Sequence, residues 1–188
     1  FSKYPIINSG EMVRQTIPSP YGKFYNRGVY ADIETNGQMI RFVSVHLQSI
    51  YFASEDYNAI EEIKEETPSE ISKFLPIIKK LGKAYKQRGI QTAELKSFIE
   101  ASPYPIILGG DFNDTPSSFA YQQLSELLDD AFIKKGKGIG STYNGSIPFL
   151  RIDYIFIDKT FSYSKYEKIK NPNSDHFPII ADIDLPNK

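Results

Sequence analysis

The chain has 188 residues, of which 40% are hydrophobic and 24% charged, and it contains no Cys. These values are typical of one globular domain with a sizeable core, and they exclude a disulfide framework, a thiolate metal site and a cysteine nucleophile. A formal net charge of −1 argues against a strongly basic nucleic-acid-binding protein and leaves only a local basic patch open. No apolar run reaches the roughly 18 residues that a membrane helix needs, so we expect no membrane span here.

The first half of the chain predicts a hairpin. Residues 28–35 and 38–47 are predicted strands joined by Asn36-Gly37, because this dipeptide favours the type I′ turn of tight hairpins. The second strand carries apolar residues on both faces, which predicts cover on both sides and therefore a layered α/β core.

A long helical region with two oppositely charged halves is predicted for residues 55–102. It contains a capping box at residues 67–70 and a kink or restart at Pro76. Such charge runs are typical of solvated helix faces, and the alternative is that the basic half follows a polyanion. The basic residues concerned are Lys79, Lys80, Lys83, Lys86 and Arg88.

The second half of the chain predicts three strands and one helix, at residues 104–110, 151–158, 177–183 and 117–128 respectively. This order predicts layers of sheet and helix without a clean domain boundary. The loop at residues 134–146 contains four glycines and is expected to be either mobile or closely packed.

Polar residues interrupt apolar strands near their ends in four places, and both His residues of the chain lie there. Asp111 and Asn113 are two positions apart, so in an extended chain both side chains face one way and can hold a water and a phosphoryl oxygen. Asp175 is a hard oxygen ligand suited to Mg²⁺. His176 needs an acceptor that fixes its tautomer, for which Asp153 is the best candidate. A metal beside a His–Asp pair suits metal-assisted phosphoester hydrolysis.

These four segments, in this order, resemble the signatures of the endonuclease/exonuclease/phosphatase superfamily, which has the DNase I-like fold. They are Ser44-Val45-His46-Leu47, Gly110-Asp111-Phe112-Asn113, Arg151-Ile152-Asp153-Tyr154 and Ser174-Asp175-His176. The resemblance implies an α/β fold, a four-layered sandwich of two mixed β-sheets flanked by helices. It also implies a hydrolase that cleaves phosphodiesters or phosphomonoesters with Mg²⁺ or Mn²⁺.

The resemblance further implies a role for each matching residue. Asp111 and Asn113 hold the nucleophile and the scissile phosphate, and Asp175 is a metal ligand, directly or through water. The remaining roles concern the two His residues. His176 forms with Asp153 a dyad that acts as base or binds the phosphate, and His46 contacts the phosphate or serves as acid. The group that takes the proton from water stays open.

The resemblance also predicts that residues 1–188 are the C-terminal two-thirds of a single domain. Domains of the superfamily carry an Asn and a metal-binding Glu upstream of the region resembling residues 4–7, and neither has an equivalent here. We therefore expect this chain by itself to bind Mg²⁺ weakly, to be an impaired enzyme and to expose apolar sheet surface.

The substrate stays open among nucleic acid, phosphoinositide or sphingolipid headgroups and smaller phosphoesters. Two further basic clusters lie at residues 134–137 and 165–170. They could bind a polyanion, and the alternative is that they belong to ordinary solvated loops. The alternative to an enzyme is a catalytically silent binding or interaction module on the same fold, against which the complete motif set argues.

Overall fold

The structure is a computed structural model, which describes residues 1–12, 15–19, 22–26, 28–50, 52, 55–56, 75–145, 147–171 and 173–185. The strands are β1 (Ile6–Glu11), β2 (Gln15–Ser19), β3 (Gly22–Asn26), β4 (Gly28–Thr35), β5 (Gln38–His46), β6 (Ile106–Asp111), β7 (Leu128–Asp130), β8 (Asp153–Asp158), β9 (Ser162–Lys168) and β10 (Ile179–Asp184). The helices are α1 (Leu75–Glu100), α2 (Phe119–Leu127) and α3 (Ala131–Lys135).

The central element is a six-stranded mixed sheet with the strand order β1-β4-β5-β6-β8-β7. β5 and β6 run parallel, whereas the other neighbouring pairs are antiparallel. A parallel pair needs a crossover connection, and α1 lies in the segment that makes it. β9 and β10 form a separate two-stranded sheet, as do β2 and β3. This mixed α/β architecture confirms the predicted fold class.

The hairpin predicted at Asn36-Gly37 is confirmed, because β4 and β5 pair in antiparallel register up to this turn. Both turn residues have positive φ angles, 51° and 71°, as a type I′ turn requires. The prediction that β5 is covered on both faces holds at Ile40, which is 1% exposed, and fails at Phe42, which is 37% exposed. The exposure of Phe42 agrees with the expectation that this chain exposes apolar sheet surface. The sheet of β9 and β10 packs on that face around Ile40 and Ile157 and does not bury Phe42.

The other face of β5 is buried beneath α1. Val43 and Val45 pack there in one core with Leu95 and Ile99 of the helix. The capping box predicted at residues 67–70 lies outside the described residues. Pro76 occupies the first turn of α1, where its missing N–H removes no helical hydrogen bond.

The basic half of the predicted helical region is not a uniformly solvated face. Lys80 forms an ion pair with Asp56, and Arg88 is buried in an ion pair with Asp114. The suggestion that Arg88 follows a polyanion is therefore wrong, because a guanidinium enclosed in this way cannot reach an external ligand.

The remaining predicted elements are present with shifted ends, whereas β3, β7, β9 and the short helix α3 were not predicted. α2 begins at Phe119, with Ser118 as its N-cap accepting from the backbone N–H of Tyr121. The basic cluster at residues 165–170 lies mostly on β9, where alternation of polar and aromatic residues gave a weak strand signal. In the glycine-rich loop, an added Cβ at Gly140 would lie 2.4 Å from the Phe132 ring, so this part of the loop is closely packed.

The pairing of β5 with β6 requires a glycine near the end of β6. Gly110 has a φ of +149°, and a Cβ at this position would lie 1.9 Å from the carbonyl oxygen of Val45. The neighbouring Gly109 has only Tyr154 O at 3.7 Å from such a Cβ, which is an ordinary contact.

We expect Gly110→Ala to lower the free energy of unfolding by at least about 2 kcal/mol, because the new Cβ meets rigid backbone and the φ angle disfavours side chains. Gly109→Ala is the matched control and should change it by less than about 1 kcal/mol. Equilibrium urea unfolding of both variants measures the difference, and equal losses would contradict the predicted clash.

Candidate active site

Three neighbouring strands each bring one polar residue to the same edge of the central sheet. His46 ends β5 and stands opposite Asp111, which ends β6. Asp153 begins β8 and stands opposite Asp111 on its other side. Directly opposed residues on paired strands project from the same face of the sheet. Strand register therefore places the three side chains in a row.

Asp111 is the centre of this row. Its Oδ2 lies 3.6 Å from Nε2 of His46 and 4.0 Å from Nε2 of His176. Its Oδ1 accepts a hydrogen bond of 2.8 Å from the backbone N–H of Asn113. The single carboxylate thus joins groups from three separate segments of the chain.

Asn113 meets Asp111, but not in the way the spacing predicts. β6 ends at Asp111, and Asn113 has a φ of 51°, so the two residues are not in one extended strand. The Asn113 side chain turns back instead, and its Nδ2 donates to Asp111 Oδ2 at 3.0 Å and to Leu47 O at 3.2 Å. Asp111 and Asn113 are therefore close together, as predicted. The prediction that an extended strand brings them together is wrong, because a tight turn does so.

His176 and Asp153 form a pair across the chain. Nδ1 of His176 lies 2.9 Å and 3.1 Å from the two carboxylate oxygens of Asp153. Because an ionised carboxylate only accepts hydrogen bonds, this contact fixes the proton on Nδ1 and leaves Nε2 facing Asp111.

The loop before β8 holds the His176 segment in place. Asn144 N–H donates to Asp175 O and Phe177 N–H donates to Thr142 O, both at 2.7 Å. Tyr143 packs edge-on against the His176 imidazole, with ring centroids 5.4 Å apart. Sequence reasoning missed Thr142 and Tyr143, for which the glycine-rich composition of the loop was the only signal.

The charges around the site shift two pKa values. Burial raises the pKa of Asp111, and the negative charge of Asp153 raises it further against the opposing effect of the Asn113 N–H and the two imidazoles. Burial lowers the pKa of His176, but the hydrogen bond and charge of Asp153, together with Asp111 and Asp175, outweigh it and raise the pKa overall. His176 therefore keeps its proton to higher pH than an ordinary imidazole.

A cleft of about 390 Å³ opens in front of these residues. Its lining is His46, Ser49, Ile50, Phe52, Asp111, Asn113, Tyr143, Ile147, Leu150, Ile152, Asp175 and His176. Asp153 bonds to His176, so the structure brings all six predicted residues together. In the described part of the chain, no Lys or Arg lines the cleft, and Arg151 of the third motif is buried against Asp130.

One group of residues in the cleft fits a divalent cation. Ligand atoms of Asp111, Asp153 and His176 all lie within 4.8 Å of one another. Two carboxylates and an imidazole suit Mn²⁺, and the carboxylates alone suit Mg²⁺. Asp175 is exposed at the rim of the same cleft and is not part of this group, so its role as a ligand stays a prediction.

The sequence model of the Endonuclease/Exonuclease/phosphatase family matches residues 82–176, just over half of the chain. The chain belongs to this family, which confirms the resemblance seen in the motifs. No curated protein sequence matches it.

Several solved structures are similar in fold. A functionally unknown conserved protein from Enterococcus faecalis is 16% identical, with a TM-score of 0.68 over 98% of this chain and 68% of that one. An endonuclease/exonuclease/phosphatase family protein from Bacteroides thetaiotaomicron is 18% identical, with a TM-score of 0.65 over 98% and 67%. A mannosyl-6-phosphatase from the same organism is 16% identical, with a TM-score of 0.60 over 97% and 68%. The shared fold is the DNase I-like fold.

We expect the pKa of His176 in the metal-free protein to fall when Asp153 is replaced by Asn, because both the hydrogen bond to a charged acceptor and the charge itself are lost. The chain has only two His, so His176 is the single imidazole in a His46→Asn background. NMR titration of His46→Asn, and of the double variant that also carries Asp153→Asn, measures the change in its pKa. An unchanged His176 pKa would contradict the assigned pair.

The sign of the linked stability effect follows from the raised pKa. The His176–Asp153 contact stabilises the fold fully at pH values below the unfolded pKa of about 6.5, and this contribution is lost as pH rises through the higher folded pKa. The free energies of unfolding of the parent and of Asp153→Asn should therefore differ more at mildly acidic pH, where His176 is protonated, than at alkaline pH.

Proposed function

We propose that this chain carries the catalytic residues of a metal-dependent phosphoesterase, which hydrolyses a phosphodiester or phosphomonoester bond. Family membership supports a hydrolase that acts on phosphoester bonds. The observation that carries the proposal is the row of His46, Asp111 and Asp153 on adjacent strand ends, completed by His176. Such a set of titratable groups facing one cleft is typical of acid–base chemistry at a phosphoryl centre.

A bound Mg²⁺ or Mn²⁺ would polarise the phosphoryl oxygen and neutralise its charge. Asp111 and Asp153 would hold it, with Asp175 as a further ligand directly or through water. Asp111 already accepts a hydrogen bond from Asn113, and Asp153 already contacts His176. A cation must share them with these partners.

The other residues act on the water and the phosphate. Asp111, whose pKa burial raises, orients the attacking water together with Asn113. His176, whose pKa Asp153 raises, donates Nε2–H to the phosphate in its protonated form. The exposed His46 lies on the side of Asp111 opposite to Asp153. It contacts the phosphate or protonates the leaving group.

The cleft favours a small phosphoester over nucleic acid. Its walls are largely apolar and aromatic, with Ile50, Phe52, Tyr143 and Ile147 around the polar centre. Affinity for nucleic acid comes mainly from cations that neutralise phosphates, and the described cleft residues include none. The mannosyl-6-phosphatase of similar fold acts, by its name, on a sugar phosphate. A lipid headgroup is the remaining candidate, and comparison of small, lipid and oligonucleotide esters in one assay decides among them.

Among the described residues, no helix combines the length and apolar composition that crossing a bilayer requires.

We expect Asp111→Asn and His176→Ala to lower the turnover of bis-p-nitrophenyl phosphate or p-nitrophenyl phosphate at least about 100-fold, because each removes an acid–base group. Asp182→Asn is the control, since this exposed carboxylate lies on β10 outside the cleft. Activity should require millimolar Mg²⁺ or Mn²⁺ and disappear with chelator. A chain that hydrolyses neither ester in concentrated, metal-loaded solution would instead support a silent binding module.

We expect Mg²⁺ to bind weakly, with saturation only at metal concentrations far above that of the protein, because so few free oxygen ligands are available for its octahedral shell. Isothermal calorimetry of the parent, of Asp111→Asn and of Asp182→Asn measures this. Asp111→Asn should abolish the heat, whereas Asp182→Asn should leave it unchanged. Tight binding by the parent would show that the ligand set is more complete than the described residues indicate.

A further inference from the structure

Arg88 of α1 is the largest fully buried side chain among the described residues, with 1% of its surface exposed. It does not line the cleft, and its ion pair with Asp114 is enclosed on both sides. A buried ion pair is a poor source of stability, because desolvation of the two charges offsets their attraction. The position of this pair therefore calls for another explanation.

Arg88 contacts two segments that come from different strands. Its Nε donates to Oδ2 of Asp114 at 2.9 Å, and its Nη1 donates to the carbonyl oxygen of Gln48 at 2.9 Å. Gln91, one turn further along α1, accepts the backbone N–H of Gln48 at 3.0 Å. Both backbone groups of Gln48 are thus held by the helix.

These two segments carry the groups that meet at the site. Gln48 lies two residues after His46, and Asp114 directly follows Asn113. The segments also touch each other, because Leu47 N–H donates to Asp111 O at 2.9 Å and Leu47 O accepts from the Asn113 side chain. Arg88 binds both segments immediately behind this junction.

The junction needs such support. Asn113 has a left-handed backbone conformation, with a φ of 51°, which persists only where surrounding contacts determine it. The planar guanidinium suits this task, because its fixed donor directions set the relative position of two acceptors in a way that an ammonium cannot. Burial raises the pKa of Asp114 and Arg88 opposes that effect, so removal of Arg88 would leave a buried carboxylate without its counter-charge.

We propose that Arg88, assisted by Gln91, is a positioning residue of the active site. By binding Gln48 and Asp114 together, it sets the separation between His46 and the Asp111–Asn113 pair. The inference rests on the proposed function, in which these groups act on one phosphoester. Misplacement of catalytic groups by about 1 Å can lower a rate on the order of 100-fold.

The first test compares Arg88→Met with Arg41→Met by kinetics. Arg41 is the matched control, since it too is a buried Arg, bound through Nε and Nη2 to Asp32. It contacts neither segment at the site. We expect Arg88→Met to lower kcat for the p-nitrophenyl ester at least about tenfold with KM changed less than threefold, and Arg88→Lys to restore part of it. Arg41→Met should lower stability and leave kcat unchanged.

Equal kcat values for Arg88→Met and Arg41→Met would overturn the proposal, because they would assign Arg88 a structural role only. Where Arg88→Met does not fold, Gln91→Leu decides the question, since it removes only the contact with the Gln48 N–H. It should lower kcat by a smaller factor at unchanged KM, and an unchanged kcat would count against the proposal.

The second test needs no activity. In Arg88→Met, amide exchange measured by NMR should accelerate at least about tenfold at Leu47 and Gln48 relative to Leu108, and the Asn113 side-chain amide signals should shift. Arg41→Met should leave these signals unchanged. If the parent hydrolyses no ester, the proposed function fails while this measurement still decides the positioning. Unaltered exchange and unaltered Asn113 signals in Arg88→Met would overturn the positioning role regardless of activity.

Discussion

The site depends on the close pairing of β5, β6 and β8 at one edge of the sheet. Register brings His46, Asp111 and Asp153 side by side, and the contacts of Arg88 then hold the turn after β6 against the segment after β5. The pairing is possible because Gly110 lets the β6 backbone approach Val45 O with no intervening side chain. The same glycine that completes the ladder thereby lets the ends of β5 and β6 lie at the usual strand spacing of about 4.8 Å.

Pairs of charged and polar side chains position the segments around the site that strand register does not position. Asp153 orients His176, Arg88 joins Asp114 to the segment after β5, and Arg151, just before β8, pairs with Asp130 at the end of β7. Each pair links segments that are distant in sequence. The interior around the site is therefore more polar than the core beneath α1, which consists of aliphatic and aromatic side chains.

The hairpin at Asn36-Gly37 and the strands bearing the motifs could be predicted because local turn chemistry and apolar runs determine them. The grouping of the six site residues could be predicted because the four motifs resemble those of one superfamily and lie near the ends of predicted strands. The tight turn at Asn113 could not be predicted from spacing, because its left-handed backbone depends on contacts with Leu47 and Asp111. The burial of Arg88 could not be predicted either. Its place in a run of basic residues does not indicate that it pairs with Asp114, 26 residues further along the chain.

The polar centre of the cleft and its apolar wall come from different parts of the chain. Strand ends hold His46, Asp111 and Asp153, whereas Ile50, Phe52 and Ile147, which lie outside the strands, form much of the apolar wall. A one-residue slip in a strand would turn every side chain to the opposite face and destroy the chemistry, but loop residues tolerate exchange and insertion. The shape of the cleft wall can thus change by substitution while the strand-end residues keep their arrangement, and selection for a different ligand would have its natural targets in those wall positions.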